Sequence, residues 1–407
     1  MNYGEVKESI LKNVQDRLLG EGGYSDEEVL NVIDEEILNT CKSVSLRIKE
    51  KVQIRKDLFN RLRRLDVLQE LLEDDSVTEI MVNGLHEIFI ERRGRLLGSQ
   101  RYFESEDRLV DIINQIASKV NRTVNISTPI MDARLEDGSR VNVVLPPIAL
   151  NGPILTIRRF PDEEITDRDL INYESVSEEV LHFLRKLVEA GYNILISGGT
   201  GAGKTTFLNV LSNYIPKDER IITIEDSAEL KIAGIENLVR LEARMATQEG
   251  SKRISIRDLI KTSLRMRPDR IVVGEVRGEE AIDMLQAFNV GQDGSLSTIH
   301  ANSAEDALLR LETMIMLNTE IPLKALRRQI ASGVDIIVHL GRLRDKSRRL
   351  LEIREVTGMK NEEVVTQLLY EFTERSVEDG TIKGEFLKRN RIENRIKLQR
   401  AGIGDEL

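Results

Sequence analysis

The sequence predicts an α/β protein in which a large domain with a mainly parallel sheet follows a smaller α+β domain and a helical leader. Beyond residue 170, short apolar segments alternate with helical stretches, the pattern of a parallel sheet covered on both faces. Strand-like alternation marks the middle of the chain, and helical spacing marks its start. The predicted divisions are a leader at 1–58, an α+β domain at 59–158, a linker at 159–170, and a large domain with C-terminal helices at 171–407.

The leader contains apolar residues that recur every three or four positions, and a glycine-rich run at 20–23 breaks the pattern. Two interpretations fit: a helical segment that packs on a neighbouring domain, or a mobile arm that recruits a partner. The spacing favours packing. One helical face carries Val29, Val32, Ile33 and Ile37.

The smaller domain mixes strand and helix signals. Glu87–Glu91 alternates like a half-buried strand, and Leu109–Val120 has a helical pattern. Asp137-Gly138 is a strong turn signal between two strands. The linker that follows is marked by Pro161 and its charged neighbours.

Composition excludes several classes of protein. A single cysteine, Cys41, excludes a disulfide framework and a four-thiolate zinc site, and it fits a reducing cytoplasm. The net charge of −10 disfavours a general nucleic-acid binder. The first residues lack a signal-peptide pattern. The sequence contains no run of about 18 apolar residues, the length needed to span a membrane. We expect a cytoplasmic protein that reaches a membrane only through partners.

The clearest motif is a phosphate-binding loop at residues 198–205, which matches G-x-x-x-x-G-K-[ST] at every fixed position. Glycines let the backbone wrap around phosphate oxygens, and the following helix adds positive potential at its N-terminus. Lys204 is expected at the β- and γ-phosphates, and Thr205 on Mg²⁺. The sequence therefore predicts ATP and Mg²⁺ as ligands, held by Gly199, Thr200, Gly201, Ala202, Gly203, Lys204, Thr205 and Thr206.

Two further apolar strands end in acidic residues, at Glu225-Asp226 and at Gly274-Glu275. Ligands of parallel sheets bind at the carboxyl ends of the strands, so both acids should lie beside the phosphate loop. Glu275 can hold the Mg²⁺ shell, or it can orient and deprotonate the attacking water. A solvated strand end is the alternative interpretation for either acid.

Four histidines occur, and His300 alone closes a strand-like run rich in hydroxyl residues. Such a histidine can sense the γ-phosphate, although a lone histidine is more often structural. His182 and His339 lie in apolar runs and are predicted to pack in the core, whereas His86 follows a turn.

Arginines of the smaller domain are candidates for contacting the γ-phosphate. An arginine in that position contributes about 10³–10⁵ in rate to phosphoryl transfer. Arg134, Arg140, Arg158 and Arg159 lie on predicted strands or turns shortly before the linker, and the first three are the candidates chosen. That placement would let them close over a nucleotide bound in the large domain. Surface or ion-pair roles are the alternative.

With these motifs, the chain resembles the type II/IV secretion-system ATPases, and in particular the CpaF-type motors of tight-adherence (Tad/Flp) pili. The resemblance runs from about residue 68 to residue 358, most of the chain. Besides the phosphate loop, it rests on the segments Val77–Gly84, Asp137–Asn142, Ile157–Phe160, Ile224–Asp226, Arg265–Gly278 and Ser297–Asn302.

The resemblance implies a RecA-like ATPase domain behind a PAS-like N-terminal domain, assembled as a ring of six subunits. In such proteins Glu225 falls in the aspartate box, Glu275 is the catalytic glutamate of an atypical Walker B motif, and His300 lies in the histidine box. The family's N-terminal arginines contact the nucleotide, a role for the three arginines above. Rocking of that domain transmits ATP turnover to an inner-membrane platform protein. One segment, Gly291–Gly294, departs from the Gly-His-x-Gly that many relatives carry.

Other functions stay open on the sequence. A conjugation-type secretion ATPase is the nearest competitor, followed by a nucleotide-gated scaffold with little turnover and by a nucleic-acid translocase. General secretory-pathway ATPases usually carry a four-cysteine zinc insertion, which the single cysteine excludes. Near the C-terminus, Ile392 and Ile396 predict an amphipathic helix that either docks on a partner or packs on the core.

Overall fold

The computed structural model shows two compact units, Met1–Asp162 and Glu163–Leu407. Residues 20–22 of the predicted glycine break and residues 160–164 of the predicted linker lie outside the described residues. The last part of the predicted linker is helical, because Thr166 caps a helix that begins at Asp167. The structure describes residues 3–19, 23–92, 94–135, 137–159, 165–244 and 252–403.

The leader forms three helices: α1 (Tyr3–Leu18), α2 (Asp26–Thr40) and α3 (Ile48–Arg63). Ser25 and Glu28 form a reciprocal capping box that satisfies backbone N–H groups at the start of α2. The three helices share a hydrophobic core of their own, and α3 continues past the predicted boundary at residue 58. The core consists of Val6, Ile10, Leu11, Val14, Val29, Ile33, Ile37, Ile54 and Leu58.

A six-stranded antiparallel sheet completes the first unit, in the order β3-β2-β1-β6-β5-β4. Buried residues recur at every second position along much of β1, β5 and β6, whereas β3 at the edge is exposed throughout. An amphipathic helix, α5, contributes its apolar face to the same core. After a 3₁₀ turn at Asp66–Leu68, the elements are α4 (Gln69–Leu72), β1 (Val77–Asn83), β2 (Glu87–Arg92), β3 (Arg95–Gly98), α5 (Glu106–Lys119), β4 (Ile130–Arg134), β5 (Arg140–Val144) and β6 (Ile154–Arg158).

The second unit is built on a nine-stranded sheet, in the order β15-β14-β13-β12-β7-β11-β10-β8-β9. The six strands from β12 to β9 are parallel, and helices cover both faces with separate hydrophobic cores. This is the predicted α/β architecture. The elements are α6 (Asp167–Asn172), α7 (Glu178–Glu189), β7 (Ile194–Gly198), α8 (Lys204–Ser212), β8 (Ile221–Glu225), β9 (Leu238–Glu242), α9 (Ile256–Ser263), β10 (Arg270–Val276), α10 (Ala281–Asn289), β11 (Leu296–His300), α11 (Ala304–Met316), α12 (Leu323–Gly333), β12 (Ile336–Arg342), β13 (Arg348–Lys360), β14 (Glu363–Glu378), β15 (Thr381–Lys388) and α13 (Ile396–Arg400).

The C-terminal region corrects one prediction. Instead of C-terminal helices, β13, β14 and β15 form an antiparallel extension of the sheet, followed by one five-residue helix. The amphipathic helix predicted around Ile392 is absent: residues 389–395 are not helical, and Ile392 is buried. Lys397 then ties α13 to Asp335 and to Asp293, at 2.7 Å each. This segment therefore packs on the core, the second of the two alternatives.

Across the parts of the chain that the structure describes, no helix combines the length and the apolar character that crossing a membrane requires.

Candidate active site

The phosphate loop joins β7 to α8 at the carboxyl edge of the parallel strands. β7 is buried along its whole length, and α8 begins at Lys204 with Gly203 as its N-cap. Because a glycine cap has no side chain, the first N–H groups of α8 receive no side-chain acceptor, and they suit an anion. The exposed residues at the tip of the loop are Gly199, Thr200 and Gly201.

The loop is tightly packed at its base and open at its tip. At Gly198, a Cβ would stand 2.5 Å from the backbone oxygen of Leu340 on β12 and 3.2 Å from the Cβ of Ala202, which is buried. Gly201 and Gly203 have φ values of +72° and +93°, which residues with side chains rarely adopt. Nothing lies within 4 Å of a Cβ placed at Gly201. This geometry fits a phosphate group.

Lys204 folds back into the loop and meets His300. Its Nζ donates to the carbonyl of Gly199 at 3.1 Å and lies 3.2 Å from Nδ1 of His300. His300 ends β11, where it pairs with Gly198 on β7. Burial lowers the pKa of His300 below its ordinary value; Glu275 opposes this shift, and the charge of Lys204 adds to it. This shift favours the neutral imidazole, which can accept a hydrogen bond from the ammonium group.

A β-bulge brings Glu275 to the same place. The register between β10 and β11 shifts between Val273 and Val276, so one extra residue is accommodated at Gly274-Glu275. Thr298 Oγ1 on β11 donates to the carbonyl of Gly274 at 2.7 Å, which holds the bulge in position. The side chain of Glu275 is thereby turned toward the end of β11.

Glu275 lies at the centre of a continuous chain of polar contacts. Its Oε1 lies 2.6 Å from Nε2 of His300. Its Oε2 accepts from Nη2 and Nε of Arg277, at 2.7 and 2.9 Å. Arg277 also reaches Asp226, with 3.1 Å between Nη1 and Oδ2. Lys204, His300, Glu275, Arg277 and Asp226 thus form one connected set beside the phosphate loop.

Glu225, at the end of β8, is 2% exposed. Its Oε1 accepts from the backbone N–H groups of Glu229 and Leu230, at 2.7 and 2.8 Å, and its Oε2 has no hydrogen-bond partner among the described residues. Burial raises the pKa of this carboxyl to about 7, against the opposing effect of the two backbone hydrogen bonds. A Cβ at Gly274 would stand 3.1 Å from Glu225 Cγ, so the glycine there gives the carboxyl its room.

The three arginines predicted from the sequence belong to the first unit, where they form one row across its sheet. Arg134 pairs with Arg140, and Arg140 pairs with Arg158. The row continues through Glu79, opposite Arg158, to Glu91. Residues directly opposite in an antiparallel pair share a face, so all five side chains emerge on one side. Burial raises the pKa of Glu79, and Arg158 opposes that shift.

The residues expected to hold Mg²⁺ are compatible with that ion. Thr205 and Thr206 occupy the first turn of α8 and are half-buried. Among the residues that the structure describes, no three His, Cys, Asp or Glu side chains gather as a metal cage. Mg²⁺ commonly takes one or two protein oxygens, with waters and substrate phosphates as its other ligands. Thr205 directly and Glu275 through water would suffice.

The other three histidines play no part in this set. His182 is exposed on α7, so the prediction that it packs in the core was wrong. Its two neighbours are buried, but successive side chains of a helix point in different directions. His339 is buried, as predicted, and lies 2.9 Å from the hydroxyl of Ser197. His86 is exposed beside Tyr102.

Two arginines at the site were not singled out from the sequence. Arg277 follows Glu275 by two residues, a spacing that could have suggested the contact. Arg348, the first residue of β13, donates from Nε to the carbonyl of Gly201 at 2.8 Å, and its Cδ lies 3.6 Å from a Cβ built at Gly203. No local pattern signals Arg348, because 147 positions separate it from the glycine that it contacts.

Comparisons with known proteins agree with this architecture. A profile described as "Type II/IV secretion system protein" matches residues 62–391. Conjugal transfer protein TrbB of Rhizobium radiobacter is 35% identical over 306 residues, which cover 74% of this chain and 90% of that protein. An uncharacterized protein of Methanocaldococcus jannaschii is 41% identical over 273 residues, 65% of this chain; this match spans 38% of the archaeal protein's length.

A solved structure supports the fold. The crystal structure of the pilus retraction motor PilT with bound ADP superposes with a TM-score of 0.50 at 21% identity, covering 84% of this chain and 88% of that chain. At that identity, the likeness supports the fold and nothing further. The family profile covers well over half of the chain, and the match to TrbB spans most of both proteins. The chain therefore belongs to the type II/IV secretion system protein family.

Proposed function

We propose that this protein hydrolyses ATP in a Mg²⁺-dependent reaction and converts the energy into mechanical work in a secretion or pilus machine. The observation that carries the proposal is the contact chain from Lys204 through His300 to Glu275. A phosphate loop alone indicates nucleotide binding. A carboxylate held beside the loop supplies what hydrolysis needs in addition, a group that can orient a water molecule and accept its proton.

Each group of the chain has a role in that reaction. Lys204 and the first N–H groups of α8 bind the β- and γ-phosphates, which draws the ammonium away from His300. Glu275 orients the attacking water and accepts its proton, while Arg277 holds the carboxylate in place with two hydrogen bonds to its Oε2. Neutral His300 is left as a partner for the γ-phosphate or for Glu275. Mg²⁺ bound at Thr205 would supply charge neutralisation at the phosphates.

The arginine row of the first unit supports the same reaction. Arg134 lies opposite Arg140, and Arg140 lies opposite Arg158, so the register brings three guanidinium groups to one face of the sheet. Guanidinium groups form strong, charge-assisted hydrogen bonds with phosphate oxygens. We propose that the row contacts the γ-phosphate when the nucleotide is bound and so couples the first unit to turnover.

Two machines are candidates for the work performed. The motifs resemble the CpaF-type motors of Tad/Flp pili, which favours a hexameric ring acting on an inner-membrane platform protein. The name of the relative TrbB favours a conjugation-type secretion ATPase instead. Both place the protein at the cytoplasmic face of the membrane and join it to the membrane through partners. Binding of the purified protein to the platform protein of one machine and not of the other would decide between them.

The experiment that tests hydrolysis is phosphate release by the purified protein. We expect turnover with ATP and Mg²⁺, none with EDTA, and none in Lys204→Ala. A protein that binds ATP but releases no phosphate would instead be a nucleotide-gated scaffold. Stimulation by DNA that falls steeply with salt would favour a nucleic-acid translocase, which the net charge of −10 disfavours.

A further inference from the structure

A second histidine lies beneath the site, on a strand that none of the motifs includes. His339 on β12 is 6% exposed, and it pairs with Ser197 of β7, which is fully buried. The Ser197 Oγ lies 2.9 Å from the His339 Nδ1, and the His339 ring also bonds the backbone of Asn302. Ser197 directly precedes Gly198 of the phosphate loop, and Asn302 follows His300 by two residues. One side chain therefore links the two segments that carry the site.

The bonding is consistent with a neutral imidazole. Burial lowers the pKa of His339, against the nearby carboxylates of Glu352 and Asp306. A neutral ring has one acceptor and one donor nitrogen. In the tautomer that bonds the backbone of Asn302 through its N–H, Nδ1 can accept from the hydroxyl of Ser197, whose other acceptor, Val338 O, is farther away at 3.5 Å.

The link acts where backbone pairing ends. β7 and β11 are paired as far as Gly198 and His300, and the next contact, from Ala301 N to Gly198 O, is long at 3.4 Å. β13 supports the same turn, because Glu352 Oε1 accepts from the N–H of Ala304 at 3.2 Å. Two apolar side chains of similar size could fill the space of the Ser197–His339 pair and would leave no polar groups to be matched. A hydrogen bond requires a defined direction, whereas an apolar contact does not. The polar pair therefore fixes the direction of the turn after His300 more closely than apolar packing would.

We propose that His339 is a positioning residue for hydrolysis: through Ser197 and Asn302 it fixes the spacing between the phosphate loop and His300. This inference rests on the proposed ATPase function. The spacing matters because displacing reacting groups by about 1 Å can slow an enzyme about a hundredfold. Part of that spacing is held by the backbone, so we expect a drop in kcat of about tenfold when the link is lost.

The test compares Ser197→Ala, His339→Leu and the double variant with the wild type. Each single variant should lower kcat about tenfold and leave the affinity for ADP within about twofold, because Lys204 and α8 are untouched. Each single variant also leaves one buried polar group without its partner, so it should melt at a lower temperature. The double variant removes both polar groups, so it should recover the melting temperature of the wild type but not its kcat. If the pair were purely structural, the double variant would recover both.

A matched control is Ser295→Ala. Ser295 is also fully buried and hydrogen-bonded, to Gln292 O and Ile271 N, but it directly precedes β11, roughly 16 Å from His300 along the strand direction. We expect Ser295→Ala to have a lower melting temperature than the wild type and to keep the wild-type kcat.

Hydrogen exchange of residues 300–304 gives a second readout that does not depend on turnover. The double variant should exchange faster there than the wild type. If the wild type shows no turnover, the proposed function is refuted, and hydrogen exchange still tests whether the Ser197–His339 contact orders residues 300–304. An active wild type together with a double variant of equal kcat and equal exchange would overturn the role of His339.

Discussion

Replacing Glu225 by glutamine should show how far the folded protein raises the pKa of this carboxyl. In the folded protein its pKa is about 7, against an ordinary value of 4.5. The folded state therefore holds the proton more tightly than the unfolded state does. The contribution of this proton to the free energy of unfolding is fully present below pH 4.5 and is lost as the pH rises through 7. At about 1.4 kcal/mol per pKa unit, ionisation costs the folded protein about 3 kcal/mol at high pH.

Glutamine has nearly the same shape and does not ionise. Its Oε1 can accept from the same two N–H groups, of Glu229 and Leu230. The stability of Glu225→Gln relative to the wild type should therefore rise by about 2–3 kcal/mol between pH 5 and pH 8. The change with pH reports on the ionisation of Glu225 more directly than the stability difference at any single pH, because that difference also includes the cost of accommodating the new amide nitrogen.

The assay is urea unfolding without nucleotide at pH 5, 6, 7 and 8. With urea slopes of about 1–3 kcal/mol per molar, the expected difference shifts the midpoint by about 1 M. Glu242→Gln is the matched control: Glu242 lies opposite Glu225 on β9 but is exposed, and should show no such trend. A constant difference in stability between Glu225→Gln and the wild type at every pH would instead mean that the carboxyl is ionised throughout this range and that the fold does not raise its pKa.

Three further predictions follow from the geometry. Gly198→Ala places a Cβ 2.5 Å from Leu340 O and should abolish binding of fluorescent ADP; wild-type affinity would show that β7 and β12 can separate. Arg348→Ala removes the hydrogen bond to Gly201 and should weaken ADP binding by about two- to tenfold by calorimetry, whereas Arg354→Ala, farther along β13, should not. Arg158→Ala should lower kcat by on the order of 10³ with ATP binding retained; unchanged phosphate release would assign the arginine row another role.

The sequence predicted the α/β architecture because its signals are local. Apolar strands that alternate with helices, and a complete phosphate-loop motif, each depend on neighbouring residues. The C-terminal extension was missed for the opposite reason. β14 is half-buried over much of its length and ends in an exposed segment, so it lacks the apolar run that marks a buried strand. Its pairing with β13 and β15 depends on contacts that no local pattern reveals.

At the site, residue types could be predicted but their relative placement could not. The position of Glu275 after an apolar strand placed it at the sheet edge, whereas the bulge that turns it toward His300 appears only in the pairing of β10 with β11. Likewise, the arginines were chosen for their position before the linker, but their alignment in one row depends on strand register. Arg348 reaches the phosphate loop from a distant strand and had no signal at all.

ATP hydrolysis at this site is tested most directly by separating nucleotide binding from hydrolysis at Glu275. Glu275→Gln keeps the shape of the side chain and removes its ability to accept a proton. We expect Glu275→Gln to bind ATP with wild-type affinity and to lose at least about a hundredfold in phosphate release, whereas Lys204→Ala should lose binding itself. Phosphate release by Glu275→Gln at the wild-type rate would show that Glu275 is not the group that accepts the proton of the attacking water.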